Sequence, residues 1–143
     1  MPSGNIRILV LCTHNSARSQ MAEGFLRHYL QSHAEIFSAG THPSTLHPLA
    51  VTAMQEIGID IAHHFAKTID ALPYQDWDYV ITVCDQARET CPYLPARHNL
   101  HYSFPDPSLD NTLESFRAVR DKIHAWARAF AESFLQKHSP SAS

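Results

Sequence analysis

Apolar side chains follow two rhythms along this chain. From Arg7 to Leu11 they run almost unbroken, the pattern of a strand covered on both faces, as in a parallel sheet flanked by helices. Glu35 to Ser38, closed by Gly40, and Tyr79 to Val83 read as further strands, and Leu100 to Phe104 as a shorter fourth. Between them the apolar positions recur at the spacing of one helix face. Met21, Ala22, Phe25, Leu26, Tyr29 and Leu30 predict a helix from about Ala17 to Gln31. Leu49, Ala50, Ala53, Met54 and Ile57 predict a second, ending at Gly58 as its C′ residue. A long third carries Leu113, Phe116, Val119, Ile123, Ala127, Phe130 and Phe134.

Strands that alternate with helices imply right-handed crossovers, hence an α/β fold with a parallel sheet and helices on both faces. No internal repeat or linker interrupts residues 1–138, so one domain is expected, with Ser139 to Ser143 as a disordered tail. Ligands of such sheets bind beyond the carboxyl ends of the strands. That rule directs Cys12, Cys84 and Asp106, each just after a strand, toward one crevice.

Composition narrows the classes of partner. The chain has 143 residues, 44% hydrophobic and 17% charged, with a formal charge of -3, and its basic and acidic residues are mixed. Neither nucleic acid nor an anionic membrane is expected as a partner. The run Ile8 to Leu11 is too short for a membrane span or a secretory core, which favours the cytoplasm. Three cysteines without close pairing do not read as a disulfide scaffold; they read as working thiols. Eleven histidines scatter over helix and loop alike, and adjacent His63 and His64 diverge on a helix without a nearby carboxylate or thiol ligand, so no metal is expected.

The candidate chemistry begins with Cys12, Thr13, His14, Asn15, Ser16, Ala17, Arg18 and Ser19, a loop between a buried strand and an amphipathic helix. Such a loop can turn several backbone N–H groups inward, and the helix dipole adds positive potential, so its hollow suits a tetrahedral oxyanion. Arg18 offers a planar fork that matches two of the anion's oxygens. The same field favours a thiolate at Cys12, and Ser19 can donate a hydrogen bond to that sulfur. Asn15 tolerates positive φ, and its amide can tie the loop together.

The run Cys12 to Glu23, C-T-H-N-S-A-R-S-Q-M-A-E, resembles the anion loop and first helix of the low-molecular-weight phosphotyrosine phosphatase superfamily, and within it the thioredoxin-coupled arsenate reductases. Ser38-Ala39-Gly40, the Cys84 to Pro92 segment and Phe104 to Pro107 match in the same order, so the resemblance spans nearly the whole chain. It implies a four-stranded parallel sheet, Cys12 as nucleophile, Arg18 as oxyanion clamp and Asp106 as general acid, held in an extended loop by Pro105 and Pro107. It also implies a relay through Cys84 and Cys91, whose seven-residue separation must loop or unwind before the two sulfurs can bond. Ala17 stands where many of the phosphatases carry a second cysteine.

Arsenate is the substrate this resemblance implies, with phosphate or sulfate as analogues. No bound cofactor is expected, only an external thiol reductant, thioredoxin or glutaredoxin with glutathione. Some reductases of the family hold potassium on residues corresponding to Asn15, Glu23 and Ser38 and on a threonine and an aspartate where this chain has Phe65 and Lys67. The Lys67 ammonium is expected to replace that cation. A tyrosine phosphatase and an oxyanion or redox sensor without turnover are the alternatives that remain.

Overall fold

The structure, a computed structural model, describes residues 6–42, 44–85 and 93–138. Four strands, β1 (Ile6–Leu11), β2 (Ala34–Ala39), β3 (Tyr79–Thr82) and β4 (His98–His101), form one sheet in the order β2-β1-β3-β4. Every pairing is parallel. The central strand β1 is the most apolar, and Ile8 to Leu11 are fully buried because the sheet is covered on both faces. Among the described residues the long helices are α1 (Arg18–Leu30), α2 (Pro48–Gln55) and α3 (Leu113–His138).

The pleat of β1 divides the core. Ile8 and Val10 join Phe25, Leu26, Met54, Phe116, Ile123 and Phe134 in a cluster shared with all three helices. Leu9 and Leu11 face the other way into a smaller cluster with Ala39, Trp77 and Val80. Among the described residues, that second face is bordered by Ile69 and Leu72 around a 3-10 turn (Ile69–Ala71), and by Phe37, Tyr74, Leu94 and Ala96. Burial of the larger cluster drives the fold, at about 25 cal/mol per Å² of apolar surface removed from water.

The boundaries follow the sequence pattern closely, except at β4. The expected strand Leu100 to Phe104 lies two residues earlier, at His98–His101. Its register is set by β3, with Tyr79 opposite His98 and Thr82 opposite His101, and β3 ends there. As the edge strand, β4 needs no continuous apolar run; His98 and Asn99 are exposed. Phe104 has left the sheet, and its side chain is buried against the helices.

Gly58 has φ of 83°, the left-handed conformation that ends α2. Its N–H donates to the Gln55 carbonyl at 3.0 Å and Ile59 N–H to the Met54 carbonyl at 3.1 Å, the paired bonds of a Schellman motif. A β-carbon there would meet nothing within 4 Å, so replacement has a conformational cost alone. Gly58→Ala should therefore lower stability by about 1 kcal/mol, read as a shifted urea midpoint with unchanged slope. A parent midpoint would show that the left-handed turn does not hold the helix end.

Candidate active site

β1 and β3 deliver two cysteines to the same end of the sheet. Leu11 is paired with Thr82, and Val83 N–H donates to the Leu11 carbonyl at 3.0 Å. Cys12 and Cys84 therefore lie one and two residues beyond the paired ends of neighbouring strands. Both are buried, at 3% and 0% exposure, within the larger core cluster. Cys84 is disulfide-bonded. Cys91, the partner that a relay calls for, lies outside the described residues.

The loop from Cys12 to Ser19 is held from outside by backbone. Cys12 N–H donates to the Ala39 carbonyl at 3.2 Å, and the Thr13 carbonyl accepts from the N–H groups of Thr41 and His42 at 2.9 and 3.1 Å. The Ser16 carbonyl accepts from His47 N–H at 2.9 Å. Ala17 stands at the N-cap of α1 and supplies no capping side chain. His14 is exposed, its ring centroid 5.7 Å from that of His42.

Asn15 holds the loop from inside. Its φ is 55°, as its residue type allows, and it is fully buried. Its Nδ2 donates to Ser19 Oγ at 2.8 Å and to Ser38 Oγ at 2.9 Å. Its Oδ1 accepts from Gln20 Nε2 at 2.9 Å and from Lys67 N–H at 3.0 Å. Ser38 donates in turn to Glu23, a carboxylate only 4% exposed that also takes Arg27 Nε at 2.7 Å.

Lys67 completes this layer. Its Nζ is 3.9 Å from Glu23 Oε1 and donates to the Phe65 carbonyl at 3.3 Å. Burial pulls its ammonium below the ordinary lysine range, and the Glu23 carboxylate opposes that pull. A cavity of about 300 Å³ opens beside it, lined among others by Glu23, His64, Phe65 and Lys67. Gln20, which carried no signal in the sequence, and His64, weighed there only as a metal ligand, belong to the same layer: Gln20 Oε1 lies 3.0 Å from His64 Nδ1. Burial likewise lowers the His64 imidazole, with Glu23 pulling the other way. Among the described residues no three His, Cys, Asp or Glu side chains gather to hold a metal ion.

Arg18 spans the space between the loop and the segment after β4. It is 3% exposed, its Nη1 donates to the Phe104 carbonyl at 3.1 Å, and its Nη2 is 3.8 Å from Asp106 Oδ2. Asp106 has the extended backbone its flanking prolines dictate, φ -79° and ψ 111°. Its Oδ1 accepts from Ser108 N–H at 2.9 Å and Ser108 Oγ at 2.7 Å, capping a 3-10 turn (Pro107–Leu109). The other oxygen is the one turned to Arg18. A buried cationic fork, a partly exposed carboxyl and two cysteines thus surround one end of the sheet.

Comparison with known proteins places this geometry. The model of the low molecular weight phosphotyrosine protein phosphatases matches residues 7–140. The chain belongs to that family. Within it, an arsenate reductase of Shouchella clausii is 43% identical over 132 residues, covering 88% of this chain and 95% of the relative. An arsenate reductase solved in the phosphate binding state superposes with a TM-score of 0.78 at 29% identity, covering 90% of this chain and 98% of its own. A thioredoxin-dependent arsenate reductase of Corynebacterium glutamicum gives a TM-score of 0.75 at 28% identity, over 96% of this chain and 65% of its own.

Gly40 is the residue on which the outer support of the loop turns. A β-carbon there would lie 2.7 Å from the Thr13 carbonyl oxygen and 2.9 Å from the Asn15 nitrogen, both backbone atoms that cannot swing aside. Gly40→Ala should therefore displace the loop while the core persists. The expected result is a loss of more than tenfold in the rate of Cys12 alkylation by iodoacetamide and in protection by phosphate, with far-ultraviolet dichroism unchanged. Parent alkylation and protection would mean that the loop tolerates the displacement.

Proposed function

We propose that this protein reduces arsenate to arsenite by nucleophilic attack of Cys12, followed by a disulfide relay through Cys84 and Cys91. The observation that carries the reading is the convergence of Cys12, the Arg18 and Asp106 pair, and Cys84 at one sheet end. A hydrolase needs only the first three of these residues; a second buried sulfur beside the nucleophile is of use to a reductase. The names of the relatives support the same enzyme type.

The arsenate oxygens are held by the N–H groups of Thr13, His14, Asn15, Ser16, Ala17, Arg18 and Ser19 and by the Arg18 fork. The Cys12 thiolate, accepting from the Ser19 hydroxyl, attacks arsenic. Asp106 gives its proton to the departing oxygen, which leaves as water. In the enzyme whose Cys84 disulfide has first been reduced, the Cys84 thiolate then attacks Cys12 Sγ. The sulfur–arsenic bond breaks with its electron pair remaining on arsenic, so pentavalent arsenic becomes arsenite as a Cys12–Cys84 disulfide forms. Cys91 attacks Cys84, restoring the Cys12 thiolate and leaving a Cys84–Cys91 disulfide for an external dithiol. Thioredoxin is the reductant we favour, since a solved relative is thioredoxin-dependent. Such thiol chemistry belongs to the cytoplasm; among the described residues no helix is long and apolar enough to cross a membrane.

The deciding experiment supplies arsenate with thioredoxin and its reductase, or with glutaredoxin and glutathione, and compares arsenite production with phosphate-ester hydrolysis. Cys12→Ser should abolish both, because a hydroxyl is a far weaker nucleophile than a thiolate at neutral pH. Cys91→Ser should release about one arsenite per enzyme and then stop with Cys12 and Cys84 bonded to each other. Repeated turnover by Cys91→Ser with thioredoxin would overturn the relay. Ester hydrolysis far exceeding arsenate reduction in the parent protein would favour the phosphatase.

We infer that Lys67 places a charged side chain where the family resemblance implies a potassium site. Its ammonium, beside Glu23 and the carbonyl of Phe65, is our candidate replacement for the ion. Arsenate reduction is therefore expected to be the same in potassium and sodium salts at equal ionic strength. Several-fold activation by potassium would sink the substitution.

A further inference from the structure

His47 lies outside the oxyanion loop and outside the acid-bearing segment, yet it is bonded to both. Its N–H donates to the Ser16 carbonyl at 2.9 Å, fixing it to the loop. Its ring stands at the N-cap of α2, where Nδ1 accepts from Leu49 N–H at 3.1 Å. An accepting Nδ1 carries no proton, so in the neutral imidazole the proton is on Nε2. That Nε2–H donates to Asn111 Oδ1 at 2.9 Å. The ring also packs against Phe116 of α3, centroids 4.5 Å apart, which holds it in the plane these bonds require.

Asn111 closes the turn that begins at Asp106. It has φ of 55°, and its N–H donates to the Pro107 carbonyl at 3.0 Å. Ser115 of α3 supports the same carbonyl from the other side at 2.9 Å. The turn is thus tied to α3 through Ser115, to itself through Ser108 and to the oxyanion loop through His47 and Asn111. The last of these ties joins the loop to the turn through side-chain and backbone bonds separate from the Arg18 contacts to Phe104 and Asp106.

We propose that His47 is a positioning residue: by bonding Ser16 and Asn111 at once, it sets the distance between the oxyanion loop and the Asp106 carboxyl. It rests on the reading of Asp106 as the general acid. A strap of this kind governs the proton delivered to the leaving oxygen and leaves anion binding and the Cys12 thiolate alone. Its signature is a fall in kcat without a matching rise in KM, and a fall that disappears when Asp106 can no longer give a proton.

Two variants cut the strap at different atoms. His47→Asn keeps a good N-cap for α2 but is too short to reach Asn111. Asn111→Gly keeps the left-handed backbone and removes Oδ1, so it reads the same bond should the first variant not fold. Each should lower kcat for arsenate about fivefold, with KM and phosphate protection of Cys12 within about twofold of parent. In an Asp106→Asn background the same substitutions should cost nothing further, the non-additivity of residues that act through one group. A parent kcat in both variants, or an equal loss in the Asp106→Asn background, overturns the inference and leaves the acid assignment standing. A parent rate for Asp106→Asn itself overturns the acid assignment and the strap together.

Discussion

The loop from Cys12 to Ser19 depends on one buried amide. Asn15 sits at a φ that most residues avoid, and its two amide hydrogens and both lone pairs of its one acceptor oxygen are engaged, by Ser19, Ser38, Gln20 and the Lys67 backbone. Each such group left unpaired in a buried place would cost about 1–3 kcal/mol. The amide therefore holds the loop in one shape, and it also fixes its own orientation, since a flipped amide would face donors with donors. Because Ser38 is on β2 and Lys67 follows α2, the loop cannot relax unless two other segments move with it.

That constraint matters because the polypeptide has little else with which to shape this loop. The parallel sheet delivers Cys12 and Cys84 to the same end simply by register, and β4 then releases the chain toward Arg18. Strand ends alone would leave backbone N–H groups free to rotate toward water. Gly40 admits the returning chain from β2 against the outer side of the loop, while Asn15 pulls from within. Backbone caught between two such supports is preorganised, which is what the proposed attack on an oxyanion would require of it.

Much of this was legible in the residues. Periodicity gave the strand order its raw material, and Cys12, Arg18 and Asn15 could be read because each is chemically suited to a place that a strand, loop and helix define. What escaped was whatever depended on partners distant in sequence. Gln20 looks like the polar face of an amphipathic helix, yet α1 is buried there as well, covered by His64 and Phe65; Glu23, Ser38 and Lys67 are reached from the sequence only through the family resemblance. His47 carried no signal, since histidine is not among the usual N-caps and its second bond reaches 64 residues away. The shift of β4 had a similar source: an edge strand takes its register from its neighbour, so its own apolar pattern marks what happens after it leaves the sheet.

The charge on Glu23 explains why this hidden layer carries two cations. A carboxylate nearly removed from water is costly unless opposite charge and hydrogen bonds compensate it. Ser38 supplies a hydrogen bond and Arg27 a close charge, but the Arg27 side chain is half exposed and part of its field is lost to solvent. Lys67 is the better buried of the two, and its own tendency to lose a proton on burial is opposed by the carboxylate it neutralises. The Glu23 carboxylate thus works against the loss of the Lys67 proton that burial favours. Since Ser38 links that pair to Asn15, and Asn15 to Ser19, the ionic state of the layer is coupled to the hydrogen-bond network that shapes the loop from Cys12 to Ser19.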